Sequence, residues 1–200
     1  QDVLALLHAA PQIARGQILR AARHQFEEVD VLHWWHPPSG RGVRTRITDD
    51  LLRLPYVTAR YVAATGDAQI LDEQIPFLTA PELEPEEEER YGFYQSTSDS
   101  YPLLEHCRRA IERGLTAGPH GIPLMGAGDW NDGMNRVGIA GKGESIWLGW
   151  FVITVLTTFA DVCDSVGASG GDRYRQQAEQ VRKAVEFAGW DGAWYRRAYY

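Results

Sequence analysis

The chain has 200 residues, of which 44% are hydrophobic and 24% are charged, a composition typical of a folded globular domain. Its 27 acidic and 20 basic residues give a net charge of −7, which argues against a nucleic-acid partner and against direct contact of this segment with an anionic membrane. The only cysteines, Cys107 and Cys163, are too few for a disulfide scaffold or a cysteine-rich zinc site, so we expect a reducing, cytoplasmic compartment.

Helical spacing of apolar residues dominates the chain. Pro11 separates an opening helix from the first long helix, because proline is poorly tolerated in a helix interior. The second helix is entered at Asp49-Asp50 or a little later, with Pro55 either in its first turn or at a kink, and the Ser-Asp-Ser run at 98–100 caps the fourth. The predicted helices cover residues 13–26, 56–64, 68–75, 101–113, 145–163 and 174–188.

Residues 145–163 are apolar on nearly every side, which predicts a helix that is buried on all its faces. The longest apolar run, residues 146–160, is shorter than the ~20 residues that span a bilayer, so no membrane-crossing segment is expected. Glu144 and Ser145 come directly before this run and are predicted to cap the helix.

Strand signals are weak, because no run alternates apolar and polar residues over many positions. The sequence therefore predicts an all-α chain. A helical pattern is already under way at the first residues, and no cap or polar tail follows the last ones, so we expect a piece of a longer polypeptide, truncated at both ends. The acidic stretch 81–89 is broken by prolines and is predicted to be a solvated loop.

Three loops between the predicted helices hold glycines, aromatic residues and carboxylates together, at residues 33–50, 118–145 and 190–195. Such loops on a rigid scaffold are where binding and chemistry usually lie. His33 and His36 in the first loop are too sparse a set of ligands for a metal ion, so no metal site is expected.

The strongest motif is the Gly-Asp-Trp-Asn-Asp-Gly sequence at residues 128–133, in which Asp129 and Asp132 are three positions apart beside an indole. A carboxyl group next to an indole in a partly dry site can keep its proton near neutral pH, as a general acid must. Trp130 also offers a flat apolar face to a sugar ring. The alternative is an Asx-rich surface loop without chemistry.

The second motif, at residues 33–50, contains three arginines within six positions, followed by two carboxylates. Arginine forms forked hydrogen bonds to oxyanions, and aspartate accepts hydrogen bonds from neighbouring sugar hydroxyls. The three arginines and two aspartates of this motif are therefore candidates for substrate binding: Arg41, Arg44, Arg46, Asp49 and Asp50. The alternative is that residues 48–49 cap the next helix while the arginines lie on the surface.

Taken together, these motifs resemble glycoside hydrolase family 94. The resemblance covers the whole chain and is carried by Trp-Trp-His-Pro-Pro-Ser-Gly-Arg-Gly-Val-Arg-Thr-Arg at 34–46, by Asp-Trp-Asn-Asp-Gly-Met-Asn-Arg at 129–136 and by Trp-Tyr-Arg-Arg-Ala-Tyr at 194–199. It implies that residues 1–200 are a piece of one catalytic domain, an (α/α)6 barrel. Within the family the motifs are most similar to the cyclic β-1,2-glucan synthases and the 1,2-β-oligoglucan phosphorylases, with cellobiose phosphorylases as further relatives.

The resemblance also implies a role for each matching residue. Asp132 corresponds to the general acid of the family, and Trp130 to a residue that lines the sugar site. The sugar-binding arginine falls on Arg44, with Arg46 as the alternative because the register of that loop is not fixed, and the sugar-binding aspartate falls on Asp50. Asp129 is then expected to organise the loop rather than to take part in the chemistry.

The implied reaction is inverting phosphorolysis of a β-glucan chain to α-glucose 1-phosphate, with inorganic phosphate as co-substrate and no cofactor. The family's phosphate-binding histidine and threonine have no match in these residues, so the isolated piece is expected to be inactive. The parent protein is expected to be cytoplasmic, as a homodimer or as the cytoplasmic domain of an inner-membrane synthase. The alternatives are a non-catalytic sugar-binding scaffold and a phosphorylase for another β-linkage, such as that of cellobiose.

Overall fold

The computed structural model describes residues 2–84, 86–138 and 140–200, except for the side chain of Asp132, and about half of the chain is helical. The α-helices are α1 (Asp2–Ala9), α2 (Pro11–Ala22), α3 (Thr48–Thr65), α4 (Leu103–Gly114), α5 (Asn135–Gly138), α6 (Ile146–Ser165) and α7 (Gly171–Ala184). The strands are β1 (Leu32–His36), β2 (Arg41–Thr45), β3 (Gln74–Thr79), β4 (Glu89–Phe93), β5 (Gln95–Pro102), β6 (Glu144–Ser145) and β7 (Ala198–Tyr199).

The chain divides into two compact units that are each built around their own buried residues. Unit 1 comprises Gln1–Arg46 and Arg53–Ala110, and unit 2 comprises Ile47–Leu52 and Ile111–Tyr200. The α3 and α4 helices each contribute residues to both units.

The α2 helix begins earlier than predicted, at Pro11. Pro11 separates α1 from α2 as expected, but it is itself the first residue of α2, where the N–H that proline lacks has no helical partner. The α3 helix begins at Thr48, next to the predicted entry at Asp49-Asp50, and Pro55 lies inside it rather than in its first turn. The type of both elements is therefore predicted correctly, while the ends of α2 are not.

Unit 1 contains two antiparallel sheets, so the all-α prediction is wrong for this part of the chain. The first sheet has the strand order β1-β2-β4, and the second pairs β3 with β5. The β2 strand is buried at every position after its first, yet Arg44 and Thr45 occupy two of those positions, so the apolar–polar alternation of a typical strand is missing. A bulge between Leu32 and Trp34 interrupts the alternation in β1 as well.

The β5 strand explains two further differences from the predicted helices. The Ser-Asp-Ser run at 98–100 lies inside β5 and caps no helix, and α4 begins only at Leu103. The helix predicted over 68–75 is a 3-10 helix at Ala68–Asp72, after which β3 begins. Short polar side chains suit both a helix cap and an exposed strand, so the sequence alone does not separate these two structures.

The buried helix predicted over 145–163 is confirmed as α6 of unit 2, and most of its apolar side chains are buried. Ser145 caps it, since the Ser145 Oγ accepts the Leu148 N–H at 3.0 Å. Gly149 allows the turn after α7 to come close, because a Cβ there would lie 2.5 Å from Val185. The helix is long and apolar enough to cross a membrane, but 67% of its most apolar stretch is buried inside the structure, as in a core helix.

His106, at the unit 1 end of α4, is a fully buried titratable side chain. Its ring stacks on Phe77 with centroids 3.9 Å apart, its Nδ1 lies 2.6 Å from the Gln25 Oε1, and its Nε2 lies 3.0 Å from the Ile75 carbonyl oxygen. Burial lowers the pKa of His106 to about 4, and the hydrogen bond with the Ile75 carbonyl opposes this shift only in part. The folded protein therefore holds a neutral imidazole at neutral pH.

We predict that neutral His106 makes the free energy of unfolding depend on pH. The unfolded chain gains a proton below its ordinary pKa of 6.5, whereas the folded ring stays neutral down to about 4, so this stability is complete above pH 6.5 and declines as the pH falls towards 4. Between pH 7 and pH 5.5 the loss from this one group should be about 1 kcal/mol. Urea unfolding at both pH values, compared with a His106→Gln variant, isolates it; an equal pH dependence in the two proteins would contradict the prediction.

Candidate active site

The loop that carries the Asp-Trp-Asn-Asp motif, residues 126–138, begins beside the first turn of α3. The Thr48 N–H donates to the Met125 carbonyl at 3.1 Å, and the two segments also form a β-bridge at the neighbouring residues. Asp50 is half-buried in that first turn, two residues from the junction. The structure thus brings the predicted sugar-binding aspartate to the base of the loop.

Two glycines allow the ends of this loop to pack against each other. A Cβ on Gly138 would lie 2.1 Å from the Gly126 carbonyl oxygen, and a Cβ on Gly143 would lie 2.4 Å from the Val137 carbonyl oxygen. Both obstacles are backbone atoms in a close-packed region, so no larger residue fits without moving the chain. The Met125 N–H donates to the Gly143 carbonyl at 2.9 Å, which closes the loop at its base.

Asp129 is the buried carboxylate of the loop and has no exposed surface. Arg197 binds it with both terminal guanidinium nitrogens, Nη1 to Oδ2 at 2.8 Å and Nη2 to Oδ1 at 2.6 Å. The Ser145 Oγ donates to Oδ2 at 2.6 Å, and the Asn131 N–H donates to Oδ1 at 3.1 Å. These donors replace water around the carboxylate, which is what an ionised group requires in a buried position.

The pKa of Asp129 reflects these contacts. Burial raises it, but the hydrogen bonds from Arg197 and Ser145 outweigh burial, and the pKa lies below its usual value. Asp129 is therefore ionised at neutral pH and has no proton to donate there. Its contacts are those of a residue that organises the loop.

Ser145 connects this carboxylate to the start of α6. Besides donating to Asp129, the Ser145 Oγ accepts hydrogen bonds from the Leu148 N–H at 3.0 Å and from the Arg197 Nη1 at 3.1 Å. The β6–β7 pair places Ala198 opposite Ser145, so the preceding Arg197 reaches the loop from the other strand. A strand pair thereby holds the loop, the helix cap and the arginine together.

Asp132, the predicted general acid, follows a second local cap. The Asn131 Oδ1 accepts the Gly133 N–H at 3.1 Å, and the backbone of Asp132–Met134 forms a 3-10 helix. The side chain of Asp132 lies outside the described part of the structure. That Asp50, Trp130 and Asp132 face one cleft stays a prediction.

Trp130 supplies the exposed aromatic surface of the loop, with 58% of its surface exposed. Its ring centroid lies 6.2 Å from that of Trp147, and Trp147 stacks at 5.6 Å on Phe151, one turn further along α6. The three rings form a row of flat apolar faces. Such faces suit pyranose rings, whose axial C–H groups are apolar.

Arg44 and Arg46, the two arginines considered for sugar binding, belong to unit 1. Arg44 has no exposed surface, and its guanidinium pairs with Asp30 at 2.9 Å and with Glu28 at 3.2 Å. Arg46 is half-buried and donates to two backbone carbonyls of the acidic stretch 81–89. Of the two, only Arg46 keeps part of its surface in solvent.

Sequence reasoning missed Arg197 and the role of Glu144. No spacing rule links Arg197 to a carboxylate 68 positions away, and the only signal was an arginine in a recognised motif. Glu144 was predicted only as part of a cap, but it is buried and lies 2.5 Å from the His120 Nδ1, and it also accepts the N–H groups of His120 and Ile122. Among the described residues, no three His, Cys, Asp or Glu side chains come together in a way that could hold a metal ion.

The loop thus combines a buried, ion-paired aspartate with an exposed tryptophan. The chain belongs to the glycosyl hydrolase 94 superfamily, whose catalytic domain matches residues 1–200. This confirms the family resemblance of the motifs.

The relatives are a glucan synthase and several phosphorylases. The chain is 44% identical over 205 residues to the cyclic beta-(1,2)-glucan synthase NdvB of Rhizobium meliloti (strain 1021), which covers 100% of this chain and 7% of that protein. It is 29% identical over 204 residues to the solabiose phosphorylase of Paenibacillus borealis, covering 100% and 23%, and 31% identical over 152 residues to the cellobionic acid phosphorylase of Neurospora crassa, covering 75% and 17%. The chain thus spans less than a quarter of the length of each of these proteins.

We predict that Gly138→Ala destabilises the protein, because the added methyl group would overlap the Gly126 carbonyl oxygen and force the loop apart. The expected loss is about 1–3 kcal/mol in the free energy of unfolding. Gly16→Ala is the matched control: Gly16 lies inside α2 with open space around its Cβ position, so it should gain about 0.5–1 kcal/mol. Thermal melting of both variants tests this, and equal melting temperatures would refute it.

Proposed function

We propose that this chain supplies the acid loop and part of the sugar site of an inverting phosphorylase that acts on β-1,2-glucan chains. Family membership and the phosphorylase relatives support the reaction type. The 44% identity to a cyclic β-1,2-glucan synthase supports the linkage and a place in such a synthase. The roles of Asp129 and Asp132 are assigned from one observation, the ion pair between Arg197 and the buried Asp129.

The ion pair divides the two carboxylates of the motif between two tasks. A general acid must hold a proton in the working pH range. Asp129 is ionised by its contacts with Arg197 and Ser145, so the proton donor of the motif is Asp132. For the same reason Asp129 is a poor general base, because its lone pairs are already used by these donors.

In the proposed reaction a phosphate oxygen attacks C1 of the glucosyl unit from the face opposite the glycosidic bond. The bond between C1 and the leaving oxygen breaks, and Asp132 gives its proton to that oxygen. The β-glucoside becomes α-glucose 1-phosphate, and the shortened glucan leaves with a free hydroxyl. Hydrolysis by inversion would need a second carboxylate as base for water, whereas phosphate is itself an anionic nucleophile.

Three further side chains are proposed to bind the glucosyl unit. Asp50 accepts hydrogen bonds from its hydroxyls, and Trp130 stacks on its apolar face. For the arginine we favour Arg46 over Arg44, because Arg44 is fully buried in contacts with acidic groups of unit 1. The chemistry needs no cofactor, and the parent protein would be a cytoplasmic enzyme or the cytoplasmic domain of a membrane synthase.

The relatives constrain the glycosidic linkage of the substrate least, since their names include phosphorylases for other disaccharides. The test is the full-length protein with inorganic phosphate and a panel of β-1,2-, β-1,3- and β-1,4-linked glucose oligomers. Release of α-glucose 1-phosphate from the β-1,2-linked oligomers alone is the expected result. Release only from another linkage would leave the reaction but change the substrate, and release from none would favour a sugar-binding scaffold.

We predict that Asp132→Asn in the full-length protein keeps oligosaccharide binding but slows phosphorolysis at least ~10²-fold, because the amide cannot protonate the leaving oxygen. Asp99→Asn, an exposed aspartate on β5, is the control and should leave the rate unchanged. Phosphate-dependent release of glucose 1-phosphate and calorimetric binding of the oligomer are the measurements. A normal rate in Asp132→Asn would move the acid to another residue.

We also predict that residues 1–200 alone neither turn over substrate nor remain monomeric. Phe187 and Trp194 are 90% and 76% exposed in unit 2, and each exposed large apolar side chain forfeits about 1.5–3 kcal/mol of burial. Light scattering and thermal melting of this piece, together with the phosphorolysis assay, are the checks. A sharply melting monomer would contradict the claim that the piece associates, and turnover would show that the phosphate site lies within these residues.

A further inference from the structure

Arg197 takes no direct part in the proposed chemistry, yet it makes two charge-assisted hydrogen bonds to Asp129 in the 126–138 loop. We propose that Arg197 is a positioning residue, which fixes the segment around Asp132 by clamping Asp129. This inference rests on the proposed function for its effect on rate, but the clamp itself is a property of the loop that can be measured without turnover.

Arg197 fixes the orientation of Asp129 because it contacts the carboxylate at two points. Both terminal nitrogens of Arg197 meet Asp129, each on a different carboxylate oxygen, at 2.6 and 2.8 Å. A planar guanidinium that makes two parallel hydrogen bonds fixes the plane of the carboxylate as well as its position. A lysine or a neutral donor would make one such contact and leave the carboxylate free to rotate.

The orientation of Asp129 passes directly to the backbone on both sides of Asp132. The Asp129 Oδ1 that receives Arg197 also accepts the Asn131 N–H, and the Asn131 side chain in turn accepts the Gly133 N–H. Asn131 and Gly133 are the chain neighbours of Asp132. The hydrogen bonds therefore form one continuous series from the guanidinium to the peptide groups that carry the proposed acid.

Arg197 is itself held in place by backbone contacts. Its carbonyl accepts the Ile146 N–H at 3.3 Å, and the next residue, Ala198, pairs with Ser145 in the β6–β7 ladder. Its side chain is 40% exposed while Asp129 is fully buried, so the arginine closes over the carboxylate from the solvent side. A residue at this surface can be replaced with little loss of core packing.

The neighbouring arginine provides a matched control. Arg196 is exposed, and its guanidinium lies 5.7 Å from the Tyr199 ring centroid. Substituting either arginine by methionine removes one positive charge and keeps a similar chain length. Only the Arg197 substitution removes the clamp.

The first measurement is phosphorolysis by the full-length protein carrying Arg197→Met or Arg196→Met. We expect kcat to fall at least ~10-fold in Arg197→Met, with KM for the oligosaccharide changed by less than about threefold, because misplacement of a reacting group slows the chemical step. Arg196→Met should change neither constant, and Arg197→Lys should recover only part of the rate. A wild-type kcat in Arg197→Met would overturn the proposal.

The second measurement separates this proposal from the assignment of function. Amide hydrogen exchange of Asn131 and Gly133 should become at least ~10-fold faster in Arg197→Met, and should stay unchanged in Arg196→Met. If the wild-type protein releases no glucose 1-phosphate, the proposed function fails while this exchange still tests the clamp. Unchanged exchange in Arg197→Met would overturn the positioning role whatever the activity.

A double variant separates positioning from plain stability. Arg197→Met alone leaves a buried charge without its partner, so part of its effect is destabilisation. Adding Asp129→Asn removes that charge, and we expect the melting temperature to recover towards wild type while kcat stays low. Recovery of kcat together with the melting temperature would show that Arg197 acts only on stability, and would overturn the proposal.

Discussion

A buried, ionised carboxylate is tolerated only where hydrogen-bond donors surround it. Asp129 is fully buried, so the parts of unit 2 that supply its donors must stay in place. These donors are the guanidinium of Arg197, the hydroxyl of Ser145 and one loop N–H. Two of these donors carry a constraint of their own: Ser145 must cap α6, and Arg197 must directly precede β7, which pairs with β6. The loop, the buried helix and the last strand are therefore fixed by one group, and none of them can shift without exposing or unpairing its charge.

Unit 1 contains a buried group of the opposite charge, a guanidinium, which likewise needs polar partners in place of water. The guanidinium of Arg44 is fully buried, Asp30 and Glu28 pair with it, and its Cζ lies 4.1 Å from the centroid of the Phe26 ring. The β2 strand that carries Arg44 is thus buried through a charged side chain, which makes it unlike an ordinary strand in sequence. A buried ion pair adds little net stability compared with apolar packing, but losing one partner is costly, so it makes one register of the strand much better than its neighbours.

The sequence predicted well what depends on apolar periodicity and poorly what depends on paired charges. The α6 helix and the stripe of α7 that includes Tyr174 and Ala178 follow from regular burial. The strands of unit 1 did not follow, because β2 is half polar where it is buried and β5 is rich in serine and threonine. Likewise the glycines and the indole of the 128–133 motif indicated a candidate site. Arg197 was not identified, because a pair between residues far apart in the sequence leaves no local pattern.

The pairing of ionised Asp129 with Arg197 has a consequence for the charge balance of the proposed reaction. Two free carboxylates close together would compete for one proton, and neither would be a well-defined acid. Pairing Asp129 with Arg197 makes that pair neutral overall, which is consistent with Asp132 as the proposed acid. The nucleophile is an anion, so an unpaired carboxylate beside the reaction centre would also repel it. A loop that serves attack by phosphate therefore gains from having its second carboxylate buried and paired, whereas inverting attack by water would require a free carboxylate as base.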